Sequence, residues 1–318
     1  MTNTKDYLIP ASIVISAILL SGAWVYSLGE KDQQSVASAQ ISAPQRVAAN
    51  ALREKVSPSQ GVELPVVWGN LGMKLTDAGV IDSDKFKAIY EQRGGFTAEQ
   101  QTLLAGQSNG KLRITNDNAG YLLNMFWALG LANKNPILES GEMMSPAYGG
   151  AQNFASTGGW NIARGGVMDH YSHHALVALT ANQQALVDRL SRGIYRPCCG
   201  NSTHFPDCNH GMAMLGFLEL MASQGVSEQD MWNAALAVNS YWFPDTYLTI
   251  ATYMSNKGVD WSSVNAQEML GAEYSSAQGY KTIAAQVVPP VSNQGGSGCS
   301  LGASRPVQLQ QGKSGCGL

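Results

Sequence analysis

Apolar positions in this chain recur mostly at helical spacing, and the segments that carry them are bounded by cap and stop residues. In "DSDKFKAIYEQRGG", Asp82 is placed to cap a helix that ends on a Gly pair. "TAEQQTLLAGQ" and "TANQQALVDRLSRGIY" open with Thr97–Gln100 and Thr180–Gln183, the spacing of a capping box. "TNDNAGYLLNMFWALGLANKN" sets Leu122, Leu123, Phe126, Trp127 and Leu129 on one apolar surface. "GMAMLGFLELMASQG" is apolar nearly all round, with Glu219 its only charge, and predicts a buried central helix ended by Gly225. "SEQDMWNAALAVNSYW" starts at Ser227 with Asp230 three later, and "PDTYLTIATYMSNKG" stops at Gly258 after Lys257. Period-two alternation is scarce, with "LPVVWG" and "KLRIT" as the candidate short strands. The expected fold class is all-α, a mostly helical single domain over residues 61–286.

The ends of the chain break this pattern. Residues 7–28, "YLIPASIVISAILLSGAWVYSL", carry no charge and reach the roughly 20 residues that cross a bilayer as a helix. Tyr7, Trp24 and Tyr26 lie near its ends, where aromatic side chains favour the interface. The run is too long for a signal peptide, and the "ASA" at 37–39 is too far beyond it to serve as a cleavage site. The reading is therefore a six-residue cytoplasmic head (1–6), a transmembrane signal anchor (7–28) and a body outside the cytoplasm. Residues 29–60, rich in Gln, Ser and Ala, read as a flexible stalk, and the Gly/Ser/Gln tail 287–318 as disordered.

Composition narrows the function classes. The 318 residues are 44% hydrophobic and 14% charged, enough apolar sequence for a sizeable core. A net charge of −3 with no basic block gives no support for nucleic-acid binding. The Gly-rich stretch "NFASTGGWNIARGG" (153–166) lacks the Lys-Ser/Thr ending of a phosphate loop and reads as a lid leading into a 167–179 helix.

The chemistry is concentrated. Of five cysteines and five histidines, Cys198, Cys199, Cys208, His204 and His210 fall in "YRPCCGNSTHFPDCNHGMAMLG". His170, His173 and His174 lie just upstream in "MDHYSHH". Thiolates and imidazoles are ligands for zinc and for copper. Cys198 and Cys199 precede Cys208 by ten and nine positions, and His210 follows it by two, so a folded loop brings three sulfurs and an imidazole together. His170 and His174, four apart, would share a helical face and complete that shell or form a second site. The metal ligands expected are thus Cys198, Cys199, Cys208 and His210, with His170 and His174 nearby, and the cofactor copper or zinc. One constraint bears on this: with Asp207 as N-cap, Cys208 and His210 would sit at the first and third helical positions and diverge. They share a metal only if helical geometry starts later. Met212, Met214 and Met221 at helical spacing read as core.

The same cysteines carry two other readings. "YRPCCGNST", a helix and then "SQGVSEQDMWNAAL" resembles the membrane-anchored thiol oxidoreductases of cytochrome c maturation. That family carries an Arg-Cys-x-x-Cys-Gln-Asn stretch, a helix, and a Gly-x-Ser turn into a further helix. Arg196, Cys199, Asn201, Gly225 and Ser227 match over about residues 195–240. Cys198 stands in place of the spaced first cysteine, and Cys208 and His210 have no counterpart. The resemblance implies that three helices pack in this order and transfers no activity. Thiol–disulfide exchange is read from the cysteines themselves, since Cys198 or Cys199 could pair with Cys208, and the expected partner is a redox or metal-transfer protein. In the remaining reading the cysteines staple a structural or partner-binding module. No catalytic residue is assigned by any of the three.

Overall fold

The computed structural model describes residues 43–287, and the larger of the chain's two compact units begins at Asn50. The segments 7–28 and 288–318, with Cys299 and Cys316, lie outside the described residues. Among the described residues no helix is long and apolar enough to cross a membrane.

The fold is mainly α: 60% of the described residues are helix and 7% strand. Helix α1 (Ala43–Val56) leads into strand β1 (Val62–Gly69), followed by α2 (Leu71–Asp77), α3 (Ser83–Glu91) and α4 (Ala98–Ala105). Strand β2 (Asn109–Ile114) returns antiparallel to β1, with Val62 opposite Ile114, Gly69 opposite Asn109 and an irregularity between Glu63 and Val67. Then come α5 (Ala119–Ala132), α6 (Pro136–Ser140), α7 (Ala155–Gly158), α8 (Ala181–Gly193), α9 (Asn209–Ser223), α10 (Glu228–Trp242) and α11 (Pro244–Asn256). Three short helices close the body: α12 (Ala266–Leu270), α13 (Ala272–Ser275) and α14 (Ala277–Ala284). The two alternating segments are the two strands. The capping boxes at Thr97 and Thr180 and the caps at Asp82 and Ser227 all form.

Helices α5 and α9 form the centre, and both are buried along almost their whole length. They cross where Gly130 meets Gly216. A Cβ on Gly130 would lie 2.1 Å from the Met212 carbonyl oxygen, and one on Gly216 would lie 2.4 Å from that of Phe126. Backbone touches backbone here, so no larger residue fits. Phe126 and Phe217 flank the crossing with ring centroids 4.8 Å apart. Trp127 packs edge-on against Trp160 and donates its indole N–H to the Ser156 carbonyl, while Trp160 donates to Val80. At the far end of α9, Gln224 pairs with both backbone groups of Val67 (2.8 and 2.7 Å), so its side chain covers an open position of β1.

Three expectations change. The stalk expected over 29–60 gives way to helix from Ala43; Val56 is buried, and Arg53 and Lys55 pair with Asp245 and Asp260. These contacts are distant in sequence, so the local lack of periodicity did not reveal them. The 167–179 helix is replaced by a 3-10 turn at Val167–Asp169 and an irregular run. Ser172 there adopts φ +51°, and the N–H groups of Ser172 and His174 go to Leu131 and Ala132, at the end of α5. The stretch 153–166 is anchored to the core: Ser156, Trp160, Ile162 and Ala163 are buried, and its backbone bonds to Gly79, Asp82 and Asp207.

Gly216→Ala should destabilise the protein by about 1–3 kcal/mol through overpacking of backbone. Gly120→Ala, on the same helix pair but with open space around its Cβ, should be neutral or stabilising by up to about 1 kcal/mol. Urea unfolding of both variants checks this, and equal midpoints would contradict the crossing.

Candidate metal centre

The loop 194–208 delivers the cysteines to the start of α9. It closes on itself at an antiparallel bridge between Tyr195 and Ser202. The backbone ties it to the body: Tyr195 N–H to Leu270 (2.8 Å), Thr203 N–H to Ile194 (2.7 Å) and Ala277 N–H to Cys199 (3.0 Å). The carbonyl of Asp207 accepts from Ser156 N–H (3.1 Å).

Helix α9 starts one residue later than expected. Cys208, not Asp207, is the N-cap, with extended backbone (φ −120°, ψ 164°), and His210 is the second helical residue. This resolves the divergence, because an extended residue 208 aims its side chain independently of the helix. The Sγ atoms of Cys198 and Cys208 lie 3.5 Å apart. With a ring nitrogen of His210 they form a group in which all ligand atoms are within 4.8 Å of one another. A second group shares Cys208: Cys199, Asp207 and Cys208, again within 4.8 Å.

Arg196 organises the charge. Its side chain is fully buried, and its Nη2 donates to the Phe205 carbonyl (3.2 Å) and to Asp207. Asn201 donates to the other Asp207 oxygen (2.9 Å). The guanidinium lies against Gly211 in the first turn of α9, where a Cβ would come within 2.6 Å of Cζ. Burial opposes its charge, but Cys208, Cys199, Asp207 and Cys198 around it outweigh that and hold it protonated. Burial also raises the Asp207 carboxyl, against the pull of Arg196.

Among the thiols, Cys208 is the one whose surroundings favour the thiolate. Hydrogen bonds from Cys198 and Cys199 hold it well below the ordinary thiol range, helped by the Arg196 charge and by His210, and opposed by burial. Cys198 is pushed up by its bonds to Cys199 and Cys208 and by burial. His210 is buried between Trp242 (centroids 5.8 Å apart) and Phe243 (4.4 Å). Neither of its ring nitrogens makes a well-formed hydrogen bond, and the polar group it faces is the Cys208 sulfur.

His170 and His174 meet each other rather than either of these groups. His170 Nε2 lies 2.8 Å from the Arg164 carbonyl, which can only accept, so Nε2 carries the proton. The lone pair on His170 Nδ1 then accepts from His174 Nε2, 3.0 Å away. Burial, then the neighbouring His170 and His173, lower the His174 pKa and favour its neutral form. These contacts engage both nitrogens of His170 and the Nε2 of His174.

The sequence reading passed over two residues. Arg196 was noted only as part of a resemblance; its trace is an arginine beside Pro-Cys-Cys with a small residue, Gly211, opening the helix. Glu219 ties the site helix to the histidine segment. It is fully buried and accepts from Asn135 Nδ2; Asn135 Oδ1 takes Ile137 N–H (2.9 Å) and Gln184 Nε2 (3.0 Å), and the Asn135 backbone N–H goes to Ser172 Oγ (3.0 Å). Burial pushes the Glu219 carboxyl up to about 8, with Asn135 and Asn133 pulling the other way.

No family model, curated protein or solved structure matches this chain.

The raised Glu219 pKa means that folding favours the protonated acid. Its stabilising effect is complete below about 4.5, the value in the unfolded chain, and is lost as pH rises to about 8. Glu219→Gln should therefore gain stability on the wild type across this window, by on the order of a few kcal/mol at its upper end. Denaturant unfolding from pH 4.5 to 9 measures the difference, and parallel profiles would contradict a buried neutral carboxyl.

Proposed function

We propose that the body binds a transition metal, copper or zinc, through Cys198, Cys208 and His210, with Cys199 beside them, and that residues 7–28 anchor it outside the cytoplasm. One observation carries the reading. The Cys198 and Cys208 sulfurs stand 3.5 Å apart, and the S–S edge of a tetrahedral zinc–thiolate site is about 3.8 Å, from Zn–S bonds of about 2.3 Å. The His210 ring lies on the same group and is buried without a well-formed hydrogen bond, an arrangement that metal ligation would satisfy. Two thiolates balance a divalent ion, and Arg196 offsets the charge that a third thiolate, or a monovalent ion, would leave.

Thiol–disulfide exchange is the second reading, favoured by the protonation pattern. The surroundings of Cys208 favour its thiolate, and Cys198 lies 3.5 Å away, where it could close a disulfide on it. The helix α9, the Gly225–Ser227 turn and helix α10 follow the order in the thiol oxidoreductases of cytochrome c maturation.

Cys208→Ser removes the residue shared by both ligand groups and should reduce bound metal from about one ion per chain to background. Mass-spectrometric metal analysis, on protein purified without a metal-binding tag, reads this. Unchanged metal content in a folded Cys208→Ser variant overturns the metal reading. A metal-free wild type that cycles between dithiol and a 198–208 disulfide selects the second.

A further inference from the structure

Two ligand groups meet at Cys208 and share nothing else. Cys198 and His210 belong to one of them, Cys199 and Asp207 to the other. The second group offers two sulfurs and a carboxylate oxygen, all donors that zinc accepts. Its Cys199 Sγ and Asp207 Oδ1 stand 3.8 Å apart. The S–O edge of a tetrahedral zinc site is about 3.6 Å, from bonds of about 2.3 Å to sulfur and about 2.1 Å to oxygen. The Cys199 thiol donates its proton across this gap to Oδ1, so a zinc ion would replace a proton between the same two atoms.

Asp207 is also held as a ligand needs to be. Carboxylates that bind metals are oriented by hydrogen bonds from outside the ligand shell. Asn201 donates to Oδ2 (2.9 Å) and Arg196 to Oδ1. A carboxylate oxygen carries two lone pairs, and the second one on Oδ1 is the one that faces Cys199. Cys199 and the Asp207 side chain are partly exposed, the latter by 21%, whereas Cys208 and His210 are buried. This group therefore opens toward solvent, and water completes its shell.

We infer that the loop holds a second zinc ion on Cys199 and Asp207, joined to the first by the Cys208 thiolate as a bridge. This rests on the metal-centre reading and goes beyond it. The two positions fill in order. Asp207 shares its charge with Arg196, and Cys208 already serves the first ion, so the second ion binds more weakly and is lost first on purification. Its binding is a ligand substitution with no change of oxidation state. Zinc–water bonds break, the Cys199 proton leaves to solvent, and zinc–sulfur and zinc–oxygen bonds form.

Cadmium is the probe, because a thiolate shared by two ¹¹³Cd nuclei couples their resonances. The reduced, metal-free full-length protein is titrated with ¹¹³Cd(II) and followed by ¹¹³Cd NMR. One equivalent should give one resonance. A second equivalent should add another, and each should be split by the other. Cys199→Ala should lose the second resonance and with it the splitting. The splitting is read on the wild type, so the test stands even where Cys199→Ala lowers the melting temperature. Saturation at one cadmium per chain, a second resonance without splitting, or a split pair that persists in Cys199→Ala overturns the inference and leaves the metal reading standing. A wild type that takes up no cadmium, zinc or copper overturns both.

Discussion

The backbone contact between Gly130 and Gly216 sets the distance between α5 and α9, and most of what surrounds the candidate site is positioned by that distance. Two helices apolar on nearly every side can be buried only if each is wrapped by others. Their close approach turns them into a single thick element that the remaining helices coat. The start of α9, which carries Cys208 and His210, is fixed by the crossing and cannot slide along α5 without driving side chains into backbone. The end of α5 is fixed in the same way, and its last carbonyls hold Ser172 and His174. A rigid centre thus presents the cysteines at one end and the paired histidines at the other element's end.

That centre is not wholly apolar, and its polar exceptions are of two kinds. Glu219 is kept neutral by burial and spends its hydrogen-bonding capacity on asparagines that fix the chain leaving α5. Arg196 is kept charged because thiolate and carboxylate surround it. A buried cation with only part of its donors satisfied is costly. Its charge is offset by the cysteines and the Asp207 carboxylate packed around it. The space for its guanidinium comes from Gly211, so a residue without a side chain on α9 is part of the electrostatics of the loop.

The helical class, the caps, the burial of α5 and α9 and the role of Cys208 as a meeting point were readable from residue pattern, because each depends on neighbours within a few positions. What could not be read depends on distant partners. Arg53 and Lys55, at the end of α1, pair with Asp245 and Asp260, far along the chain. The histidine segment leaves helical geometry because α5 offers it free carbonyls, and a four-residue spacing cannot report that. Whether Cys208 and His210 converge turned on a single residue of helix start, which Asp207 made ambiguous: its carboxylate caps no helix and instead serves Arg196 and Asn201. The segment 153–166 looks like a mobile Gly-rich loop in composition, yet Trp160 and its neighbours anchor it in the core.

The central claim is that two cysteine sulfurs and one imidazole at the start of α9 hold a metal ion. X-ray absorption at the edge of whichever metal co-purifies with the full-length protein tests it most directly. The account predicts a first shell with at least two sulfur scatterers at about 2.3 Å and one imidazole nitrogen at about 2.0–2.1 Å. A shell of oxygen and nitrogen alone, on protein whose Cys198, Cys199 and Cys208 remain freely alkylated, would contradict it.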